Sequence, residues 1–166
     1  MYDPGTDTYI EAVVRKYSPA LLRAAFSVLR NTADAQDAAQ EAFLRLLEKR
    51  PAFNDGQHEK AWLLRVTINI AKNMRSAAAR TEPIEENTAF VYEEYSETLN
   101  AVLSLPIKYR TVIHLYYYEG YSIKEIAAIL EVPAATVGTI LSRGREKLRT
   151  MLKEEIEVTF SCLRDT

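Results

Sequence analysis

The chain has 166 residues, 48% of them hydrophobic, so it is long enough to bury a core in one or two small domains. Its net charge of -2 argues against indiscriminate coating of nucleic acid, and one cysteine with two histidines makes internal disulfides, metal sites and other cofactors unexpected. No stretch approaches the roughly 18 apolar residues of a membrane helix and the N-terminus lacks a signal-peptide layout, so we expect no membrane insertion and a cytoplasmic location.

Apolar residues recur at helical spacing through most of the chain, and no run of alternating β-branched residues appears between turn signals. The sequence therefore predicts an all-α protein.

The first informative element is a predicted amphipathic helix from Asp34 to Lys49. Its inner face is apolar and consists of Ala35, Ala38, Ala39, Ala42, Phe43, Leu46 and Leu47. Its opposite face holds Asp37, Gln40, Glu41, Leu44 and Glu48. Leu44 is an apolar side chain among acids, the anatomy of a protein-binding hot spot with a polar rim. An isolated surface leucine explains the pattern equally well.

The next helix is predicted to begin near Glu59, with Trp62 assigned mainly to the core. One apolar face holds Trp62, Val66, Ile70, Met74 and Ala77. A second face holds Arg65, Asn69, Lys72 and Ser76, without an acid. Such a stripe can follow a phosphate backbone and hydrogen-bond exposed base edges, although a solvated helix face would look similar.

An acidic segment separates this helix from the C-terminal part of the chain. Residues 80–97 combine Pro83, six glutamates and weak periodicity. We interpret the segment as a linker between an N-terminal lobe at 1–79 and a C-terminal lobe at 98–153, followed by an extension at 154–166. The alternative is a solvated loop within one domain.

The C-terminal lobe is predicted to contain two short helices around a tight turn. Ser122 and Glu125 form a capping box, so a helix starts at Ser122, and Gly120 tolerates the positive φ needed after a preceding helix at about 108–119. The apolar face of the capped helix is Ile123, Ile126, Ala127 and Leu130. Pro133 suits the first position of the following helix. The inner face of that helix is Val137, Ile140, Leu141, Gly144, Leu148 and Leu152.

The outer face of the last helix is small and polar at first and cationic farther on. It comprises Ala135, Thr136, Thr139, Ser142, Arg143, Glu146 and Arg149. This order suits a helix whose first turns meet base edges in a major groove while later cations reach phosphates, as in a helix-turn-helix. The alternative is a helical hairpin with a solvated basic face. The consecutive tyrosines Tyr116, Tyr117 and Tyr118 are predicted to pack in the core rather than stack on bases.

The C-terminal pattern resembles region 4 of bacterial sigma factors of the small, extracytoplasmic-function (ECF) branch of the sigma-70 family. The matching residues are Leu105, Pro106, Arg110, Glu119, Gly120, Glu125, Ile126, Ala127, Thr136, Val137, Arg143 and Arg145. The family usually carries Lys-Ser-Arg after Thr-Val, whereas this chain carries Gly138-Thr139-Ile140, so a basic contact is lost. The resemblance implies that the minus-thirty-five promoter element is read by Ala135, Thr136, Thr139, Ser142, Arg143, Arg145, Lys147 and Arg149.

The N-terminal lobe resembles region 2 of the same family. Its region 2.2 signature is matched by Asp37, Gln40, Glu41 and Phe43. By resemblance, the residues that dock on the coiled coil of the largest catalytic subunit of RNA polymerase are Asp37, Gln40, Glu41, Leu44 and Glu48.

The stretch 61–73 resembles regions 2.3 and 2.4, which open and read the minus-ten element. Matching places are occupied by Trp62, Leu63, Arg65, Asn69 and Asn73. The preceding loop matches the place where relatives hold a flipped-out base, with Phe53, Asn54 and Asp55 as pocket members. The implied minus-ten contacts are Phe53, Asn54, Asp55, Arg65, Asn69, Lys72, Asn73 and Ser76.

The resemblance implies a two-domain, non-enzymatic sigma factor. Its implied partners are core RNA polymerase, including the flap region, promoter DNA and an anti-sigma factor. The main alternative is a stand-alone helix-turn-helix regulator that binds operator DNA without docking on polymerase, which would need a dimerisation element that the sequence does not display. An enzyme is disfavoured because no nucleophile with a placed base or phosphate loop is recognisable.

Overall fold

The computed structural model describes residues 4–81 and 96–164, with side chains described at 7–80 and 96–154. Its helices are α1 (Pro4–Leu29), α2 (Thr32–Lys49), α3 (Gly56–Thr81), α4 (Glu97–Ser104), α5 (Ile107–Ile113), α6 (Ile123–Leu130) and α7 (Ala134–Arg164). A π-helical segment, His114–Tyr118, follows α5, and the described ranges contain no strand. The all-α prediction is confirmed.

The chain divides into two compact units, one built from α1 to α3 and the other from α4 to α7. Two small helical domains were predicted, and this part of the fold is confirmed. The acidic linker falls mostly on residues 82–95, outside the described ranges, and α7 continues into the predicted C-terminal extension. In the described part of the chain no single helix is long and apolar enough to cross a membrane.

In the first unit, α1, α2 and α3 each pack against the other two. Alanine is frequent in the core, and the fully buried alanines are Ala24, Ala25, Ala38, Ala42 and Ala71. Larger side chains fill the remaining space, namely Leu21, Val28, Leu63, Leu64 and Ile68. Alanine lets neighbouring helices approach closely, and branched side chains then bring the interior to the density typical of proteins.

Local capping sets the helix ends in this unit. The Asn31 side chain accepts from the Asp34 amide at 3.0 Å and caps the start of α2. The C-cap of this helix is Arg50, which has φ 41°. The Asp55 carboxylate accepts from the His58 amide at 2.7 Å. Because aspartate is a strong N-cap, α3 starts at Gly56 instead of near Glu59, as had been predicted.

The buried side of α3 differs from the prediction. It consists of Leu63, Leu64, Thr67, Ile68, Ile70 and Ala71. Only Ile70 belongs to the predicted apolar face, whose other members are half-buried or exposed: Trp62, Val66, Met74 and Ala77. At 100° per residue, Trp62 projects to the same side as Asn69, opposite Leu64. Trp62 is therefore at the edge of the core, half-buried against Phe53, whereas Leu63 is fully buried.

In the second unit the capping box is confirmed. The Ser122 amide donates to Glu125 Oε2 at 2.7 Å, and the Glu125 amide donates to Ser122 Oγ at 3.2 Å. Gly120 has the predicted positive φ, at 76°. Pro133 accepts from the Val137 amide at 3.2 Å, so it is the N-cap of α7, one residue before the predicted position.

The packing of α6 is rotated slightly from the predicted face. Its buried residues are Ile126 and Ile129, whereas Ile123, Ala127 and Leu130 are half-buried. Ile129 was missed by the prediction. The inner face of α7 agrees with expectation, since Val137, Leu141 and Gly144 are buried and the other predicted members are half-buried.

The segment between α5 and α6 departs from the predicted single helix at 108–119. After Ile113 the hydrogen bonding becomes π-helical, and the Glu119 amide donates to His114 O at 3.1 Å. Leu115 stays fully buried, but Tyr117 is 59% exposed and Tyr118 is 66% exposed. The prediction that the tyrosines pack in the core is wrong for these two, because the wider π turn carries their rings outward.

Two residues fix the packing around α5. Arg110 is buried, and its Nη1 donates to Leu103 O at 3.0 Å and to Leu105 O at 2.8 Å, which pins the junction between α4 and α5. A Cβ at Gly144 would lie 2.8 Å from Ile113 Cδ1. The absence of a side chain at Gly144 therefore lets α7 pack closely on α5.

Candidate polymerase-docking and nucleic-acid interfaces

The outer face of α2 is available for a protein contact. All five residues predicted for polymerase docking are exposed: Asp37, Gln40, Glu41, Leu44 and Glu48. Leu44 is the most apolar of them and is 53% exposed. The structure thus gathers these side chains on one face, with a large apolar group surrounded by polar ones.

One member of this face already has an intrahelical partner. Arg45 Nε lies 3.3 Å from Glu41 Oε1 in an exposed i, i+4 pair. Exposed pairs of this spacing contribute about 0.3–0.5 kcal/mol, so a partner would displace Arg45 from Glu41 at little cost. The pair orders the Glu41 carboxylate without removing it from the surface.

The polar stripe of α3 lies opposite its buried side. Asn69, Asn73 and Ser76 are exposed, and Arg65 and Lys72 are half-buried. Burial lowers the pKa of the Lys72 amine from its ordinary value. A phosphate placed beside that amine would favour its charged form, because an opposite charge counteracts desolvation. The stripe therefore combines amides and a hydroxyl for base edges with two cations for a backbone.

An aromatic cluster adjoins this stripe at the start of α3. The Phe53 ring meets the His58 ring edge-on at 5.3 Å between centroids and the Trp62 ring at 5.9 Å. The backbone N–H of Asn54 donates to His58 Nδ1 at 3.3 Å, which connects the preceding loop to the first turn of the helix. His58 was missed by the sequence analysis, and Trp62 was named as a family match but assigned mainly to the core.

The three predicted pocket residues play different parts in the structure. Phe53 is half-buried in the aromatic cluster, Asn54 is exposed, and Asp55 is exposed but engaged as the N-cap of α3. The structure brings the loop and Trp62 to the same side as Asn69. Because aromatic faces stack on bases of any sequence, this arrangement offers a stacking surface beside hydrogen-bonding side chains.

The second unit presents a helix-turn-helix. The direction of the chain bends by 109° between α6 and α7, within the range of about 90–120° typical of this motif. All eight residues predicted to contact the minus-thirty-five element are exposed: Ala135, Thr136, Thr139, Ser142, Arg143, Arg145, Lys147 and Arg149. The turn between the helices is made by Glu131, which has φ 56°, together with Val132 and the N-cap Pro133.

Two of the predicted cations are held by tyrosines. Arg145 Nε donates to Tyr117 Oη at 2.5 Å, and the guanidinium lies 5.2 Å from the centroid of Tyr116. The hydrogen bond to Tyr117 raises the pKa of Arg145. Lys147 Nζ lies 5.5 Å from the centroid of Tyr109 on the other flank of α7. These contacts steer flexible cations without neutralising them.

The tyrosine partners of Arg145 were missed because they are 28 and 29 residues away in the sequence. The consecutive tyrosines were the only signal, and regular helical geometry would have scattered their rings. The π-helical segment brings Tyr116 and Tyr117 into an edge-on pair at 5.0 Å beneath one guanidinium.

Two family models match the chain. The model of sigma-70 region 2 matches residues 13–81, and the model of sigma-70 region 4 matches residues 95–148. The first match contains α2 and α3, and the second contains the helix-turn-helix.

Curated relatives match over most of the chain. The ECF RNA polymerase sigma factor SigW of Bacillus subtilis is 31% identical over 164 residues, covering 86% of this chain and 88% of that protein. The ECF RNA polymerase sigma-E factor of Escherichia coli K12 is 30% identical over 137 residues, covering 69% of this chain and 72% of that protein.

Solved structures share the fold. The sigma factor RpoE of Bartonella quintana, crystallised in complex with the anti-sigma factor NepR, has a TM-score of 0.70 at 24% identity and covers 86% of this chain and 96% of that one. CnrH in complex with the cytosolic domain of CnrY has a TM-score of 0.65 at 23% identity, with 89% and 90% covered.

Sigma factors recognise DNA and bind polymerase rather than catalyse a reaction themselves. Both regions that carry these tasks are present here in the family's order, and the relatives named above match across both. The chain therefore belongs to the ECF branch of the sigma-70 family, whose members associate with RNA polymerase and direct promoter-specific initiation of transcription.

Proposed function

We propose that this protein acts in the cytoplasm and catalyses no reaction itself. Its two units make different binding contacts during the initiation of transcription. The outer face of α2 docks on the coiled coil of the largest polymerase subunit. The stripe of α3 and the preceding loop capture the separated minus-ten strand. The outer face of α7 reads the minus-thirty-five duplex, and the second unit meets the polymerase flap.

The exposure of Leu44 carries the docking proposal. Leu44 is 53% exposed at the centre of a polar, acidic face, so much of its apolar surface is open to a partner. Burial of a full leucine side chain stabilises a complex by about 1.5–3 kcal/mol, the size of contribution expected of an interface hot spot. The surrounding acids, Asp37, Glu41 and Glu48, complement a basic partner surface.

The minus-ten proposal is supported by the chemistry of α3. Trp62 and Phe53 supply aromatic surface, while Asn69 and Asn73 supply amides that both donate and accept hydrogen bonds. An unstacked base needs both kinds of contact, because stacking replaces its lost neighbours and amides recognise its edge. Arg65 and Lys72 add charge for the phosphate backbone.

An anti-sigma protein is proposed as a further partner. The proteins with which RpoE and CnrH are crystallised suggest such a complex for a chain of the same fold. The exposed Leu44 face would be a competitive target, because a protein that covers it blocks polymerase docking without touching DNA.

The test is run-off transcription from genomic fragments with bacterial core polymerase, together with direct measurement of binding to core. The wild-type chain should produce discrete transcripts. Leu44→Asp should weaken core binding by about tenfold or more, because it places a charge where an apolar anchor is buried. Ala12→Asp is the matched control, since Ala12 is an exposed apolar position on α1, outside the docking face.

Each outcome has a distinct meaning. Equal loss of core binding in both variants would contradict a specific role for the α2 face. Binding of DNA fragments without polymerase, and no transcripts with it, would favour an operator-binding regulator. Transcripts from the wild type that disappear only with Leu44→Asp would support the proposal.

A further inference from the structure

The first turns of α7 lack the long side chains that read guanine or adenine with two hydrogen bonds. From Val132 to Ser142 the sequence contains no arginine, lysine, asparagine, glutamine or acid, and the first cation is Arg143. Guanine is usually read by Arg or Lys at O6 and N7, and adenine by Asn or Gln at N6 and N7. Neither pairing is available to the part of the helix that enters a major groove first.

The surface of these turns consists instead of small groups. Ala135, Thr136 and Thr139 are exposed. A Cβ added at Gly138 would meet nothing within 4 Å, so open space surrounds the backbone there. A helix with so little side-chain bulk can bring its backbone closer to the floor of a groove than one with long side chains. Short side chains then reach base edges directly.

The hydroxyl proton of Thr139 is used within the helix, which leaves the methyl as its apolar group on the exposed face. Its Oγ1 donates to Ala135 O at 3.1 Å, within its own helix. A threonine Cβ carries only a hydroxyl and a methyl, so a hydroxyl turned toward the helix leaves the methyl as the outward group. Because Thr139 is exposed, this methyl is accessible on the outer face of α7.

We propose that α7 recognises its promoter element through the C5-methyl groups of thymine, with Thr139 and Ala135 as the specificity-determining residues. Thymine is the only base with a methyl group in the major groove, and the methyl groups of alanine and threonine are its apolar counterparts. The cations from Arg143 onward serve the phosphates. This inference rests on the proposed function of α7 in the minus-thirty-five duplex.

The experiment pairs a change in the protein with a change in the DNA. Holoenzyme is assembled from core polymerase and the full chain, on a promoter identified by run-off transcription. Each thymine of the minus-thirty-five element is replaced by deoxyuridine, which removes the methyl and keeps the base pair. We expect promoter affinity to fall about fourfold at one or more positions, the effect of losing one buried methyl-sized group.

Thr139→Ser is combined with the deoxyuridine substitutions in a double-mutant cycle. Serine keeps the hydroxyl that bonds Ala135 O and removes only the methyl. The variant should lose a similar factor on the thymine promoter and lose nothing further on the sensitive deoxyuridine promoter, because the two methyls contact each other. Thr150→Ser is the matched control: Thr150 makes the same bond to Glu146 O at 3.2 Å but lies about 16 Å farther along the helix.

Several results would overturn the proposal. These are additive losses from Thr139→Ser and deoxyuridine, no loss at any deoxyuridine position, or a loss with 7-deazaguanine in the same base pairs instead. Minus-thirty-five elements without A·T pairs would also overturn it. Normal promoter-specific transcription with any of these results leaves the proposed function intact, whereas absence of such transcription contradicts the proposed function itself.

Discussion

The two helices proposed to face promoter DNA, α3 and α7, carry different kinds of side chain on their outer surfaces. The stripe of α3 is rich in amides, cations and neighbouring aromatic rings, which suits single-stranded bases whose faces and edges are open. The first turns of α7 offer only small side chains, which suits a closed duplex whose major groove presents methyl groups and acceptors. We propose that the state of the DNA, single-stranded at α3 and double-stranded at α7, accounts for this difference between the two surfaces.

The same two helices also differ in how well the sequence predicts their orientation. Every predicted outer residue of α7 is exposed, whereas the predicted apolar face of α3 contains one buried residue. The reason is composition. Apolar residues occur on nearly all sides of α3, so periodicity does not single out its buried side, and Thr67 is buried with its hydroxyl donating to Leu63 O at 2.8 Å.

The largest expected effect separates the two sides of α3. Leu63→Ala should lower the free energy of unfolding by about 2–5 kcal/mol, because it opens a cavity at a fully buried position. Asn69→Ala, at an exposed position of the same helix, should change it by less than about 0.5 kcal/mol and should weaken transcription instead. Urea denaturation of both variants measures the difference. Equal destabilisation would contradict the observed orientation of α3.

A second pair of variants tests whether Trp62, half-buried on the same side of α3 as Asn69, stacks on a base. Trp62→Ala should reduce open-complex formation about tenfold or more, since loss of a stacked base costs about 1–3 kcal/mol. Trp62→Phe should retain much of the activity, because it keeps an aromatic face. Permanganate footprinting of the minus-ten thymines reports strand separation. Full activity of the alanine variant would assign Trp62 to packing against Phe53 alone.

Two glycines of α7 are expected to respond in opposite directions to the same substitution. Gly138→Ala should raise the free energy of unfolding by up to about 1 kcal/mol, because the added Cβ has open space and alanine favours helix. Gly144→Ala should lower it by about 1–2 kcal/mol, because the Cβ would collide with Ile113. Thermal unfolding distinguishes the two variants. Stabilisation by both would show that the Ile113 side chain on α5 moves aside at little cost.

The smallest effect concerns the orientation of Arg145. Tyr117→Phe removes the hydroxyl that accepts from Arg145 and keeps the ring, so promoter affinity should fall about two- to fourfold without loss of stability. Tyr118→Phe is the control, because Tyr118 is equally exposed but stacks on His114 instead. Affinity measured at several salt concentrations checks the result. Identical behaviour of the two variants would contradict a positioning role for Tyr117.

The sequence by itself determined the features that depend on neighbours within a few residues. These include the capping box at Ser122, the positive φ of Gly120 and the exposed faces of α2 and α7. Amphipathic helices with one polar side leave little choice about which face is buried. The two-unit helical fold and the exposure of the five α2 residues proposed for polymerase docking could be predicted in this way.

Contacts between distant residues were decided only by the tertiary structure. Packing of α3 against α1 and α2 left Trp62 half-buried and buried Leu63 fully. Tyr117, in the π-helical segment after α5, is exposed and accepts a hydrogen bond from Arg145. The capping of α3 by Asp55 likewise became evident only from the structure. Helical periodicity constrains which residues share a face, but the neighbouring elements determine which face is buried, and those contacts are not local in the sequence.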